Sequence, residues 1–73
     1  MTLQPIESGL LLAQGYDPDT QTLAVQFQSN PTWTYFSSGV PAEVYQAFLA
    51  DPHPGTYYIR NIKKRYAERK EPS

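Results

Sequence analysis

The chain has no cysteine, one histidine and one methionine among its 73 residues. The first absence removes disulfides and thiolate metal sites. No apolar stretch approaches the roughly 18 residues of a membrane span. The leading MTLQPIES lacks the charged-then-apolar pattern of a secretory signal. A cytoplasmic protein with no membrane partner is the expectation. A further absence is of one charge sign: residues 1–59 contain no Lys or Arg. All six basic residues, Arg60, Lys63, Lys64, Arg65, Arg69 and Lys70, fall in the last fourteen positions. Residues 1–59 carry Glu7, Asp17, Asp19, Glu43 and Asp51, a charge of −5, whereas the six cations set against Glu68 and Glu71 leave the remainder at +4. Such a split suits a basic segment directed at an anionic partner. It also suits a helix whose cations sit near the negative end of its dipole, with a solvated face elsewhere. Solubility alone does not require cations to avoid so long a stretch.

What is present describes a folded chain. Hydrophobic residues make up 40% and aromatics 14%, too much for a disordered segment. The length allows one domain, spanning residues 1–66, with a small core. Gly9 to Gly15 brackets the run Leu10-Leu11-Leu12-Ala13, too short for a lone helix and read as a strand. Tyr16-Asp17-Pro18-Asp19 is a turn, with Pro18 at its second position and the Asp17 side chain placed to bond an amide two residues on. In 22–28, Leu23, Val25 and Phe27 alternate with Ala24, Gln26 and Gln28, the period-2 signature of a strand buried on one face. Ser29-Asn30-Pro31 is a second turn. Thr32-Trp33-Thr34-Tyr35-Phe36 is a third strand by its β-branched and aromatic content, with Trp33 and Tyr35 on one face.

At Val40 the period changes. A helix is predicted with Pro41 at its first position, Glu43 near the positive dipole end, and Val44, Tyr45, Phe48 and Leu49 along one side. Asp51-Pro52-His53-Pro54-Gly55 stops it. A second helix is predicted from about Thr56 to about Glu68. Tyr58, Ile59, Ile62 and Tyr66 gather on one face, with Arg60, Lys63 and Lys64 pointing away. Residues 67–73 are expected to fray as a basic tail. The predicted fold is α+β: a three-stranded antiparallel β-meander with two C-terminal helices packed on one face. Its core is drawn from Leu10 or Leu11, Leu12 or Ala13, Leu23, Val25, Phe27, Trp33, Tyr35, Val40, Val44, Phe48, Leu49, Ile59 and Ile62.

The order of motifs resembles a known family. A strand ends in Gly15-Tyr16-Asp17, and a second carries Leu23, Val25 and Phe27. Trp33-Thr34-Tyr35 follows, then Val40-Pro41, Val44-Tyr45, Phe48-Leu49, Gly55-x-Tyr57-Tyr58 and Ile62. Over roughly residues 6–66 this is similar to the KTSC domain, a short bacterial module named for the C-terminus of some lysyl-tRNA synthetases and also found alone. The family's central YxY reads Trp33-x-Tyr35 here. Its A-x-S-x-G segment and later Asn have Asp51, His53 and Ile59 in the Ala, Ser and Asn places, with Gly55 kept. The family's function is not established. The resemblance implies the RNA binding suggested for the family and nothing finer.

The candidate chemistries sort by what each would require. Tyr57 lies on a helical wheel beside Arg60 and Lys64, away from Tyr58 and Ile62, and is expected to be largely exposed. A tyrosine ring among cations offers a π-face for a base and charges for phosphates, so Tyr57, Arg60, Lys63, Lys64, Arg65, Arg69 and Lys70 form the candidate RNA-binding set. The plainer reading has Tyr57 pinning the proline-rich loop. Trp33 and Tyr35 fit a stacking platform but fit a core better, since a small sheet needs large residues to pack against. His53 with Asp51 falls short of a zinc site, which needs about four ligands. Asp17 and Asp19 start like a calcium loop, but Thr22 and Gln28 occupy the positions needing Gly and an acid. Ser37 and Ser38 lack a positioned base, and there is no glycine-rich phosphate loop. No catalytic residue, metal, cofactor or small-molecule substrate is expected, and the protein is read as non-enzymatic. The alternative partner is protein: another chain or a second copy, engaged through the open sheet face or through edge strands that carry no Lys to discourage pairing.

Overall fold

The computed structural model describes residues 2–72. The chain builds one antiparallel sheet in sequence order from β1 (Gln4–Pro5), β2 (Leu11–Asp17), β3 (Thr22–Phe27), β4 (Asn30–Ser38) and β5 (Ala67–Pro72). Between β4 and β5 come α1 (Ala42–Ala50) and α2 (Pro54–Tyr57), the latter running directly into a π-helical turn (Tyr58–Ile62). The α+β class and the two helices agree with the sequence reading, but the sheet has five strands rather than three.

The β2–β3 hairpin forms as its turn residues dictate. Asp17 Oδ1 accepts the Asp19 amide at 2.9 Å, and Gln21 takes a positive φ of 51° at the end of the turn. Three successive leucines confront β2 with a phase conflict, and the ladder resolves it with an irregularity between Leu11 and Ala13. Leu11 is fully buried, whereas Leu10 and Leu12 are exposed and Ala13 is half-buried. The inner face of β2 continues through Gln14 and Tyr16, which lie opposite Val25 and Leu23. Gln14 is buried because Tyr45 of α1 donates its hydroxyl to Gln14 Oε1 at 2.9 Å.

Residues 67–72 are not a frayed tail; Ser73 lies outside the described residues. They pair with β4 over six positions, from Ser38 opposite Ala67 to Trp33 opposite Pro72. Left bare, that edge of β4 would present a row of unpaired backbone groups. The predicted second helix accordingly ends at Ile62, and Glu68 belongs to the sheet. Pro41 stands one place earlier than predicted, as an extended residue before the first turn, where its carbonyl accepts the Val44 and Tyr45 amides.

The helices cover one face of the sheet. Leu11, Leu23, Val25, Val40, Phe48, Tyr58 and Ile62 form the buried cluster, with Tyr16, Phe27, Tyr35, Val44, Tyr45, Tyr57 and Tyr66 packed around it. Tyr16 and Tyr45 stack with ring centroids 4.3 Å apart, and the Tyr16 hydroxyl donates to the Val40 carbonyl at 2.6 Å. Three expected core residues sit elsewhere. Leu49 and Ile59 are each 41% exposed, and Trp33 is half-buried outside the cluster. Tyr35, like Phe27 and Val44, is half-buried but packed against the cluster. Ile59 lies about 100° around the helix from Tyr58, at the margin of the packed stripe. The π-helical turn, closed by the Lys63 amide on the Tyr58 carbonyl at 2.9 Å, keeps Tyr58 and Ile62 inward. Gly55 is buried where α2 crosses Leu10, and a Cβ there would stand 2.7 Å from Leu10 Cβ.

Two expectations for stability follow. Gly55→Ala forces backbone-linked atoms apart and is expected to cost about 1–3 kcal/mol, read as a lowered denaturation midpoint in urea. Tyr58→Ala empties the centre of the core and is expected to cost about 3–5 kcal/mol, well above Tyr57→Ala at a half-buried site; thermal melts of the two variants rank them.

Candidate nucleic-acid interface

The cations that crowd the end of the sequence fall on three successive segments of the chain. Arg60 lies in the π-helical turn, Lys63, Lys64 and Arg65 in the turn that follows, and Arg69 and Lys70 on β5; all six are exposed. Tyr57, expected at the centre of this set as a largely exposed ring, is half-buried and packed against the core. It stands at the junction of α2 and the π-helical turn, where its carbonyl accepts Asn61 Nδ2 at 3.3 Å, and it anchors the helix more than it presents a free face.

The strand pairing sends Arg69 and Lys70 to opposite faces of the sheet. Arg69 lies opposite Phe36 on the helix-free face, its guanidinium 4.7 Å from the ring centroid. Glu71 holds it there with an ion pair at 2.7 Å. Lys70 lies opposite Tyr35 on the helix-bearing face, and its ammonium sits 5.0 Å from the Trp33 ring centroid. On that same face Lys63 approaches the Phe27 ring at 6.0 Å, and Phe27 meets Tyr35 edge-on with centroids 5.4 Å apart. Trp33, Tyr35 and Phe27 thus form a half-buried aromatic strip with a lysine at each end, Tyr35 and Phe27 packed against the core and Trp33 outside the core cluster. The sequence placed Trp33 and Tyr35 on one face correctly. The approach of Lys70 to the Trp33 ring depends on β5, which has no signal in the residue pattern.

The carboxylates of the basic segment are both engaged locally. Glu71 pairs with Arg69, and Glu68 Oε1 accepts the Tyr58 hydroxyl at 3.1 Å. Among the described residues, Arg60, Lys63, Lys64, Arg65 and Lys70 have no ion-pair partner. The Glu68 bond reaches from the core to the edge strand and fixes where β5 sits. Burial raises the Tyr58 phenol well above its usual range; the nearby Ser37 hydroxyl opposes this, and the negative charge of Glu68 adds to it. The Ser37 oxygen is itself fully buried and makes no hydrogen bond of good geometry. Tyr16 is shifted upward as well, by desolvation first and by Asp17 second.

His53 lies apart from these cations, beside a crevice of about 120 Å³ lined by Ser8, Gly9, Leu10, Pro52, Pro54, Gly55 and Thr56. Asp51 Oδ1 accepts the His53 amide at 2.8 Å, which closes the turn between the helices. Among the described residues no three His, Asp or Glu side chains converge as a metal site, and no helix is long and apolar enough to cross a membrane.

The fold defines a small α+β domain in which a five-stranded antiparallel sheet carries two short helices on one face. Residues 7–66 match the KTSC domain model, and the chain belongs to the KTSC domain family. It is 38% identical over 64 residues to a protein of Tsukamurella paurometabola, covering 88% of this chain and 92% of that one. An uncharacterised protein of Stutzerimonas stutzeri is 34% identical over 61 residues, covering 84% and 83%. The crystal structure of a KTSC domain protein from Yersinia pestis superposes with a TM-score of 0.85 at 34% identity, over 96% of both chains.

The alkaline limb of stability tests the Tyr58 assignment. A phenol whose folded pKa is raised contributes stability that is complete below its unfolded pKa near 10 and declines as pH rises beyond it. The protein is expected to lose stability above about pH 10, and Tyr58→Phe to flatten that decline while weakening the fold at neutral pH; urea titrations at pH 7 and pH 11 check both.

Proposed function

We propose that this protein is a non-enzymatic, cytoplasmic RNA-binding module that engages single-stranded RNA through its C-terminal basic surface. The observation that carries the reading is the set of five cations, Arg60, Lys63, Lys64, Arg65 and Lys70, without ion-pair partners among the described residues, in a chain whose acids outside β5 lie on other segments. Cations kept for folding or solubility are commonly interspersed with acids. Cations kept for phosphate are left unpaired, and they give affinity without sequence readout. The adjoining aromatic strip offers π-faces that a base-paired duplex has no unstacked bases to use, which favours a single strand. Asp17 at the end of β2, Asp19 in the β2–β3 turn, Glu43 on α1 and Asp51 just after it repel phosphate and confine contact to the basic surface.

The protein-interaction alternative rested on the open sheet face and on sheet edges free of Lys, and the edges bear on its second half. The outer edge is in fact β5, which carries Glu68, Arg69, Lys70 and Glu71, and the other edge is the two-residue β1 ending in Pro5. Both are features that discourage strand addition.

Fluorescence anisotropy with a labelled single-stranded RNA of about ten nucleotides tests the proposal. Affinity is expected to fall steeply with salt, with a log–log slope of up to about 3.5 for five phosphate contacts at roughly 0.7 each. The double substitution Lys63→Glu with Lys64→Glu is expected to weaken low-salt binding at least about tenfold without lowering the melting temperature appreciably. No binding at low salt, or binding indifferent to the double substitution, overturns the reading. A tight dimer in light scattering with no RNA bound transfers it to the protein-interaction class.

A further inference from the structure

Two aromatic–cation pairs span β4 and β5, one on each face of the sheet, and they differ in a way that assigns a role to one of them. Arg69 over Phe36 is closed: Glu71 holds the guanidinium at 2.7 Å, so the ring remains capped. Lys70 over Trp33 is open. Its ammonium has no acidic partner among the described residues, and it projects from an exposed edge strand on a flexible stem. An exposed cation–π contact is worth only about 0.5–1 kcal/mol, so the lysine is readily displaced. Stacking a base on an aromatic ring is generally the stronger of the two contacts. A phosphate beside that base gives the displaced ammonium a better partner than the ring.

We infer that Trp33 is a stacking site for an unpaired nucleobase and that Lys70 is its movable lid, covering the indole in the free protein and swinging to the adjoining phosphate when a base arrives. This rests on the single-stranded RNA reading above and adds the subsite and its opening. Tyr35, directly across from Lys70, and Phe27, edge-on to Tyr35, extend the strip toward Lys63, which stands over Phe27 as Lys70 stands over Trp33. The ligand class is an oligonucleotide with accessible bases. A polyanion without bases meets the lysines but has nothing to lay on the indole.

Trp33 is the only tryptophan in the chain, so emission excited at the red edge of the indole band, where the six tyrosines do not absorb, reports this position. The experiment titrates the full chain at low salt with oligoadenylate and, separately, with inorganic polyphosphate of matched charge, while anisotropy of a labelled RNA reports total binding. Oligoadenylate is expected to quench the emission and polyphosphate to leave it nearly unchanged. Trp33→Ala is expected to weaken RNA binding about tenfold or more, and Trp33→Phe to retain most of the affinity. Lys70→Gln is expected to keep the quench while lowering the salt slope by about 0.7. If Trp33→Ala fails to fold, as circular dichroism would show, the quench in the unsubstituted protein decides alone. RNA binding with unchanged emission, or equal quenching by polyphosphate, overturns the stacking site and leaves the basic surface standing. Absence of any RNA binding removes both.

Discussion

The Tyr58 side chain joins every part of this fold. Its ring is fully buried and packs edge-on against Phe27 of β3, with centroids 5.7 Å apart, while its hydroxyl reaches Glu68 of β5 at 3.1 Å. One residue therefore sets the height of the helical layer over the sheet and the position of the last strand. The π-helical turn begins at this residue, and Tyr58 and Ile62, four positions apart, both point inward. A phenol suits the task because an apolar body fills the core and a single polar tip crosses to its margin.

The position of β5 in turn decides what the basic segment can do. As a loose tail, Arg69 and Lys70 would be mobile charges at an indefinite distance from the sheet. As a strand, they are sorted by the two-residue alternation onto opposite faces, each against an aromatic ring of β4. The strand itself has poor β-propensity, with Ala-Glu-Arg-Lys-Glu-Pro in place of branched or aromatic residues. Its order comes from the six-position ladder with β4, the two ring contacts and the Glu68 bond. The same strand forms the outer edge of the sheet, and its charged residues are of the kind that discourages the addition of further strands.

A solved relative shares the frame of the fold. The likeness to the Yersinia pestis protein extends over 96% of this chain, well past the end of the family match at residue 66. Gly55 has a physical reason to stay glycine, because Leu10 occupies the space its side chain would need. The Asp51 carboxylate has a local role, since it closes the turn between the two helices by accepting the His53 amide, and the imidazole is exposed.

The residue pattern by itself determined the three central strands, the change to helix after Val40 and most of the core, because burial on one face of a strand or helix imposes a period that neighbours in sequence must keep. Leu23, Val25, Val40, Phe48 and Ile62 are buried as that period requires. It also displayed the gathering of cations in the last fourteen positions. Only the tertiary structure decided the rest. Gln14 is buried because Tyr45, thirty-one residues away, satisfies it. Trp33 is half-exposed because the helical layer stops short of it, and Tyr57 is half-buried because α2 begins at Pro54 and leans its ring on the core. Residues 67–72 form a strand because β4 offers an unpaired edge. A polar segment has no hydrophobic period to announce it, so a strand held by backbone bonds, ring contacts and one buried phenol becomes visible only once the partner strand is in place.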